Sequence, residues 1–167
     1  MIRGSAVAAL LALSACSAPP PPEAEQPGPA LDPIAFFTGP SHGDGMLDQI
    51  FKSQRTLAVD SVGSPNRDGS LTLTQRIAMQ GDGPRTRMWK LKRVAPGRYA
   101  GTLTDASGPV ETLAIGRALR IRYPMTGGLM VEQWLTALPG GRALDNRLTV
   151  TKWGLRVATL RERIERR

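Results

Sequence analysis

The sequence contains very little of the chemistry on which many small proteins depend. Its 167 residues include one cysteine and one histidine. They cannot form an internal disulfide or supply the three or four soft ligands of a zinc site, and we expect neither a metal nor another cofactor. Aromatic residues make up only 5% of the chain, and the basic residues are scattered rather than gathered in an aromatic-rich stripe. A nucleic-acid partner is therefore not expected, and the formal charge of +8 indicates solubility and attraction to anionic surfaces.

The apolar run near the start of the chain, residues 6–13, is too short to span a bilayer. It follows one positive charge and ends in small residues, which is the layout of a secretory signal. Leu13-Ser14-Ala15-Cys16 resembles the lipobox of bacterial lipoproteins, in which the signal is cut before the cysteine and the thiol is diacylated. A spare or buried cysteine would require all these features to coincide by chance. We therefore expect a signal peptide at 1–15 and lipidation at Cys16, with acyl chains such as palmitate as the membrane anchor.

Two features after Cys16 bear on where the protein resides. Ser17 occupies the position at which an aspartate commonly retains lipoproteins in the inner membrane. This favours the outer membrane, with the protein facing the periplasm, and leaves the inner membrane as the alternative. The remainder of 16–30 is rich in proline and has no large apolar residue, so we expect a semi-rigid tether.

The chain from residue 31 to residue 165 has the pattern of an all-β domain. Six turn signals separate segments of about ten residues: 66–69, 81–84, 95–97, 107–109, 126–128 and 139–141. Within Leu71–Met79, apolar and polar residues alternate with a period of two. Consecutive hairpins must hide their edges, and closure is the simplest way to do so. We expect a lipocalin-like, antiparallel up-and-down barrel of about eight to ten strands with no long helix.

A membrane-spanning barrel would show the same periodicity. In the segment from Arg85 to Val94, however, the odd-numbered positions include arginines and the even-numbered positions include Lys90 and Lys92. Either face would press basic residues into lipid at about 2–4 kcal/mol each near the midplane. The pattern favours a barrel with an apolar interior.

Several short motifs are shared with a known family: Leu31-Asp32-Pro33, Phe36-Phe37, Gly43-x-Gly45, Arg87-x-Trp89, Tyr99-x-Gly101, Gly116-x-Ala118-Leu119-Arg120 and Lys152-x-Gly154. On these residues, nearly all of 31–165 resembles the DUF3833 family of uncharacterised bacterial lipoproteins. The resemblance implies a periplasm-facing, lipocalin-like barrel and brings no established activity. The chain departs from the family pattern at Gln75 and Gln133, where acidic residues are favoured, so a role for inward carboxylates does not transfer.

The segment Gly39-Pro40-Ser41-His42-Gly43 matches the G-x-S-x-G pattern of a hydrolase nucleophile elbow. That elbow needs a helix after the serine and a histidine from later in the chain. His42 is the sole histidine, and the glycines that follow it indicate a turn. We expect an exposed loop before the first strand and no catalytic residue here.

Parity also places a set of polar and aromatic side chains inside the barrel. Gln75, Gln133 and Asn146 share the inward parity of their strands, and the candidate ligand-binding residues are Arg87, Trp89, Tyr99, Asp105, Tyr123 and Lys152. One interpretation is an internal network that fixes the register of the strands. The other is that Arg87 and Lys152 hold the carboxylate or phosphate of an amphiphile whose chain lies along Leu71, Leu73, Leu119, Ile121 and Trp134 or its neighbours.

Three classes of function follow. The first is a non-enzymatic, membrane-anchored lipoprotein that binds or carries a fatty acid, phospholipid or similar anionic amphiphile. The second is a structural or assembly lipoprotein that contacts a protein partner, which the sequence does not identify. The third, an enzyme acting on lipids, lacks a nucleophile with a matching base. The tail Arg161–Arg167 is expected to be the solvated end of the last strand. Its alternative role is a weak interaction with anionic headgroups, which the glutamates dilute.

Overall fold

The computed structural model describes residues 30–167. The predicted signal peptide, Cys16 and almost all of the predicted tether lie outside the described residues. One short helix, α1 (Pro33–Phe37), precedes the strands. The strands are β1 (Gly39–Gln49), β2 (Arg55–Pro65), β3 (Leu71–Met79), β4 (Arg85–Ala95), β5 (Arg98–Leu103), β6 (Val110–Ile115), β7 (Ala118–Met125), β8 (Leu129–Ala137), β9 (Ala143–Lys152) and β10 (Leu155–Arg166).

The ten strands of this part of the chain form a closed antiparallel barrel. Each strand pairs with its neighbours in sequence, and β1 closes the barrel by pairing with β10, for example Gly43 with Ile164. All six predicted turns connect successive strands. The prediction of an all-β, up-and-down barrel is therefore confirmed. None of the helices in residues 30–167 is long and apolar enough to cross a membrane.

The predictions for the start of the domain were wrong in two places. The segment Gly39–Gly45 is part of β1 rather than an exposed loop or a turn, because its glycines here serve as small inward residues of a paired strand. The sequence also predicts Phe51 at an inward strand position, since it shares the parity of Leu57 and Val59, yet it lies in the β1–β2 loop and is exposed.

Helix α1 covers one end of the barrel. Asp32 caps it by accepting from the backbone N–H groups of Ile34 at 3.0 Å and Ala35 at 3.4 Å. Phe36 and Phe37 are buried and pack edge to face, with ring centroids 4.9 Å apart. Gly63 permits this approach, since a Cβ there would lie 1.8 Å from the Phe37 carbonyl oxygen. We call this the closed end.

Inward side chains fill the half of the barrel next to α1. They belong to one apolar cluster that includes Leu71, Leu73, Leu119, Ile121 and Leu135 together with Phe36 and Phe37. A void of about 50 Å³ lies among these side chains. The closed half is therefore an ordinary packed core.

Candidate ligand-binding cavity

The other half of the barrel is hollow. A cavity of about 570 Å³ reaches the loops that follow β1, β3, β5 and β9, and we call this side the open end. Its volume lies within the range of small-molecule sites, roughly 300–1,000 Å³. The walls are apolar and consist mainly of Leu47, Leu57, Val59, Ile77, Met79, Val131, Leu148, Val150 and Leu160.

Small residues of β1 leave room inside the barrel for a larger side chain of the neighbouring strand. Ser41, Gly43 and Gly45 take the inward positions of the strand. A Cβ on Gly43 would lie 2.1 Å from Oε1 of Glu162 on the neighbouring strand β10. Glycine at 43 is therefore what allows a glutamate to fit inside the barrel.

A polar layer separates the cavity from the packed core, and we call it the floor. Gln75 is its centre: its Oε1 accepts from Arg87 Nε at 2.8 Å and from Trp89 Nε1 at 2.7 Å. Its Nε2 donates to Ser61 Oγ at 3.1 Å. Each of these groups comes from an inward position on β2, β3 or β4, so strand register alone brings them together.

The opposite side of the floor is incompletely paired. Asn146 Nδ2 donates to Glu162 Oε2 at 2.7 Å, and both residues are buried. Among the described residues, Asn146 Oδ1 and Gln133 Oε1 are buried without a hydrogen-bond partner. Buried acceptors are normally satisfied, so these two oxygens are positions at which a hydrogen-bond donor in the site could bind.

The Arg87 guanidinium places a positive charge at the floor. Burial raises the pKa of the Glu162 carboxyl, and the Asn146 hydrogen bond and the Arg87 charge only partly oppose this, which favours the neutral acid. Within residues 30–167 no acidic side chain lies within ion-pair distance of Arg87, which hydrogen-bonds to two neutral partners, Gln75 and Tyr123. Burial also raises the pKa of Tyr123, which lines the cavity as a neutral phenol.

Ion pairs and the Lys152 amine lie at the open end. Arg85 Nη1 lies 2.5 Å from Asp105 Oδ2, and Arg55 Nη1 lies 2.8 Å from Asp82 Oδ2. The Lys152 amine lies 4.7 Å from the ring centroid of Trp153. The two acidic side chains are thus neutralised by arginines.

The structure places the six candidate ligand-binding residues in different parts of the barrel. Arg87, Asp105, Tyr123 and Lys152 line the cavity. Trp89 lies just below the floor and packs edge to face on Tyr123, with centroids 5.7 Å apart. Tyr99 lies near the closed end, where its hydroxyl donates to Asp32 at 3.4 Å, so it is not part of the cavity.

Two details of the amphiphile position predicted from the sequence do not fit the geometry of the cavity. Lys152 stands six residues beyond the floor residue Asn146 on β9, about 20 Å at ~3.3 Å per residue, so it cannot clamp the same headgroup as Arg87. The expected chain-lining leucines belong to the packed core. Trp134 lies on the outer face, where Arg120 stacks on it at 5.8 Å.

Glu162 is the important residue that the sequence analysis missed. It belongs to the tail expected to be solvated, yet Glu162 and Ile164 are both buried. The signal was the alternation Leu160, Glu162, Ile164, which continues the inward parity of β10. The charged residues between them concealed it.

No curated protein matches this chain. The family described as "Protein of unknown function (DUF3833)" matches residues 10–166. The chain belongs to this DUF3833 family. The match confirms the family suggested by the motifs, and it extends over the barrel and its open end.

Solved structures share the architecture of this DUF3833 protein. An S-type phycobiliprotein lyase from Guillardia theta is 7% identical with a TM-score of 0.64, over 80% of this chain and 90% of the other. A DUF3598-family protein of unknown function from Nostoc punctiforme is 15% identical with a TM-score of 0.60, over 86% of this chain and 51% of the other. A protein from M. tuberculosis is 15% identical with a TM-score of 0.50, over 82% of this chain and 99% of the other. At these identities the likeness shows the lipocalin-like fold.

Proposed function

We propose that this protein is a membrane-anchored periplasmic lipoprotein that binds one anionic amphiphile, such as a fatty acid or a phospholipid with a single acyl chain. The observation that carries the proposal is the division of the cavity into apolar walls and a polar, positively charged floor. An acyl chain fits the walls, and an anionic oxygen fits the Arg87 guanidinium.

The floor also determines how the amphiphile would lie. A chain terminus pressed against the floor would leave the Arg87 charge without an anionic partner and the oxygens of Gln133 and Asn146 without donors, which is costly for buried polar groups. A headgroup at the floor offers acceptor oxygens to Arg87 and a hydroxyl or acid proton to the two amide oxygens. The head therefore points inward and the chain points toward the open end.

Binding fits the cavity better than catalysis. Ser41 is buried inside the barrel, whereas His42 lies on the outer face of β1 and hydrogen-bonds to Asp60 at 2.7 Å. The hydroxyl and the imidazole of the G-x-S-x-G segment therefore face opposite sides of one strand. In residues 30–167 no group of three His, Cys, Asp or Glu side chains could hold a metal ion.

The test is native mass spectrometry of delipidated protein titrated with myristate and with lysophosphatidylglycerol. We expect a one-to-one adduct that Arg87→Gln weakens at least tenfold, since hydrogen bonds to charged groups contribute about 1.5–3 kcal/mol. Arg76→Gln, on the outer face of the adjacent strand β3, is the matched control and should leave affinity unchanged. Met79→Trp, at the cavity wall, should also weaken binding by filling space.

Failure to form any adduct would contradict the proposal. It would then favour the second class of function, an assembly lipoprotein that acts through protein contacts. Equal losses in the Arg87 and Arg76 variants would indicate nonspecific attraction by the basic surface.

A further inference from the structure

Two large aromatic side chains stand exposed at the open end. Phe51, in the β1–β2 loop, is 101% exposed, and Trp153, in the β9–β10 turn, is 84% exposed. The two turns are neighbours because β1 pairs with β10, and the Ile50 N–H donates to the Val157 carbonyl at 3.1 Å. Ile50 and Leu155 are exposed beside them. An apolar patch therefore lies on one side of the cavity opening.

The backbone at both tips is unfavourable for these residues. Phe51 has φ 59° and Trp153 has φ 50°, and they are the non-glycine residues with positive φ in the described part of the chain. Bulky side chains rarely adopt this conformation, which suits glycine or asparagine. Neither side chain gains burial within the barrel in return. A contact outside the barrel would explain why aromatic residues occupy these positions.

The charges around the aromatic tips are mainly positive. Lys52 follows Phe51, Lys152 precedes Trp153, and Arg156 lies on the same hairpin. Across residues 30–167, Lys52 and Arg156 have no acidic partner. The nearby acidic residue without a basic partner is Asp48, which accepts a hydrogen bond from Gln54 at 3.0 Å.

We propose that the open end docks on an anionic phospholipid bilayer, with Phe51 and Trp153 at the boundary between headgroups and acyl chains. Aromatic tips flanked by lysine and arginine match the two components of interfacial binding, apolar burial and attraction to anionic headgroups. A bilayer satisfies both together, and in that orientation the apolar cavity walls continue into the acyl region. The inference concerns where the barrel sits and goes beyond the proposed function.

Trp153 provides a built-in probe. The other tryptophans, Trp89 and Trp134, are 8% and 6% exposed, so contact with lipid changes the emission of Trp153 selectively. The experiment uses the full chain with Cys16→Ser, which removes the acylation site, and vesicles of phosphatidylglycerol and phosphatidylcholine with brominated acyl chains. We expect a blue shift and quenching of Trp153 emission on anionic vesicles, weakened by salt and absent in Trp153→Phe. Trp153 reports on the open end however the rest of the chain is held.

Matched variants distinguish docking through the open end from nonspecific adsorption of the protein to vesicles. We expect Phe51→Ser to weaken the response. The double variant Lys52→Gln, Arg156→Gln should also weaken it, by about fivefold for each cation removed. Val94→Ser removes an exposed apolar side chain from the wall strand β4 and should change nothing. Unchanged Trp153 emission on anionic vesicles overturns the proposal, as does an equal response on purely zwitterionic ones. A blue shift that grows with protein concentration without vesicles also overturns it, because the open end would then bind a second copy. None of these readouts depends on a ligand in the cavity.

Discussion

Glu162 shows how single residues combine to give the cavity its chemistry. Its carboxyl fits inside the barrel because Gly43 has no side chain, and it is held by Asn146 at 2.7 Å. Parity correctly placed Gln75, Arg87 and Gln133 inside, since each lies on a strand with clear alternation. It did not reveal Glu162, because a charged residue at an inward position looks like a break in the pattern unless its partners across the barrel are known.

The buried carboxyl makes stability depend on pH. Because burial raises the folded-state pKa of Glu162 above its ordinary 4.5, the folded state binds the proton more tightly than the unfolded state. The stabilisation is complete below about 4.5 and is lost as pH rises through the folded-state pKa. We expect Glu162→Gln to gain stability relative to wild type over that interval, measured as the free energy of unfolding in denaturant at several pH values. Glu165→Gln, at an exposed position on the same strand, is the control, and a parallel pH profile in both variants would rule out a buried titration.

At the scale of elements, alternation predicted the strands wherever polar and apolar residues differ clearly, as in β3. It failed in β1, because Gly43 and Gly45 indicate a turn in isolation. In the barrel the same glycines accommodate Glu162 on the neighbouring strand, where Cβ atoms would lie 2.1 Å from its Oε1 and 3.0 Å from its Cβ. Short-range sequence cannot show this, because the reason lies on β10, more than a hundred residues away.

Helix α1 should contribute to stability as a closing element. Phe37→Ala removes a buried ring at the closed end and should lower the free energy of unfolding by about 3–5 kcal/mol. Phe51→Ala is the matched control: its ring is exposed, so its effect should stay within about 0.5 kcal/mol. Chemical denaturation of both variants measures the difference. Similar small effects in the two would mean that α1 is not an integral part of the barrel.

At the scale of the whole molecule, closure of the barrel could be predicted, but its hollow half could not. A barrel of this size can be filled by side chains or hold one small ligand. Which occurs depends on how large and small inward residues align across the strands. Here leucines and aromatic rings meet next to α1, whereas the aliphatic side chains beyond the floor line the cavity without filling it. This alignment follows from register, which the sequence pattern leaves open.

The first described residues join the barrel at the closed end, where the Leu31 N–H donates to the Gly116 carbonyl at 3.3 Å, opposite the open end. A twelve-residue strand such as β10, at ~3.3 Å per residue and a tilt of roughly 40°, gives a wall about 30 Å high. Fourteen residues, 17–30, reach about 43 Å at ~3.1 Å each if extended. An anchor at Cys16 is therefore compatible with an open end that faces the same bilayer.

That anchor is directly testable in a bacterial host. Cys16→Ser should abolish incorporation of labelled palmitate and shift the protein from the membrane to the soluble fraction, because each buried methylene contributes about 0.8 kcal/mol and two or three acyl chains are lost. Ser14→Ala, which keeps the cysteine, should remain labelled and membrane-bound. Labelled Cys16→Ser protein would contradict lipidation at this residue.

Shortening the tether by deleting 19–28 should leave labelling intact yet reduce quenching of Trp153 by brominated lipids in the anchored protein, since the remaining four residues cannot span the wall.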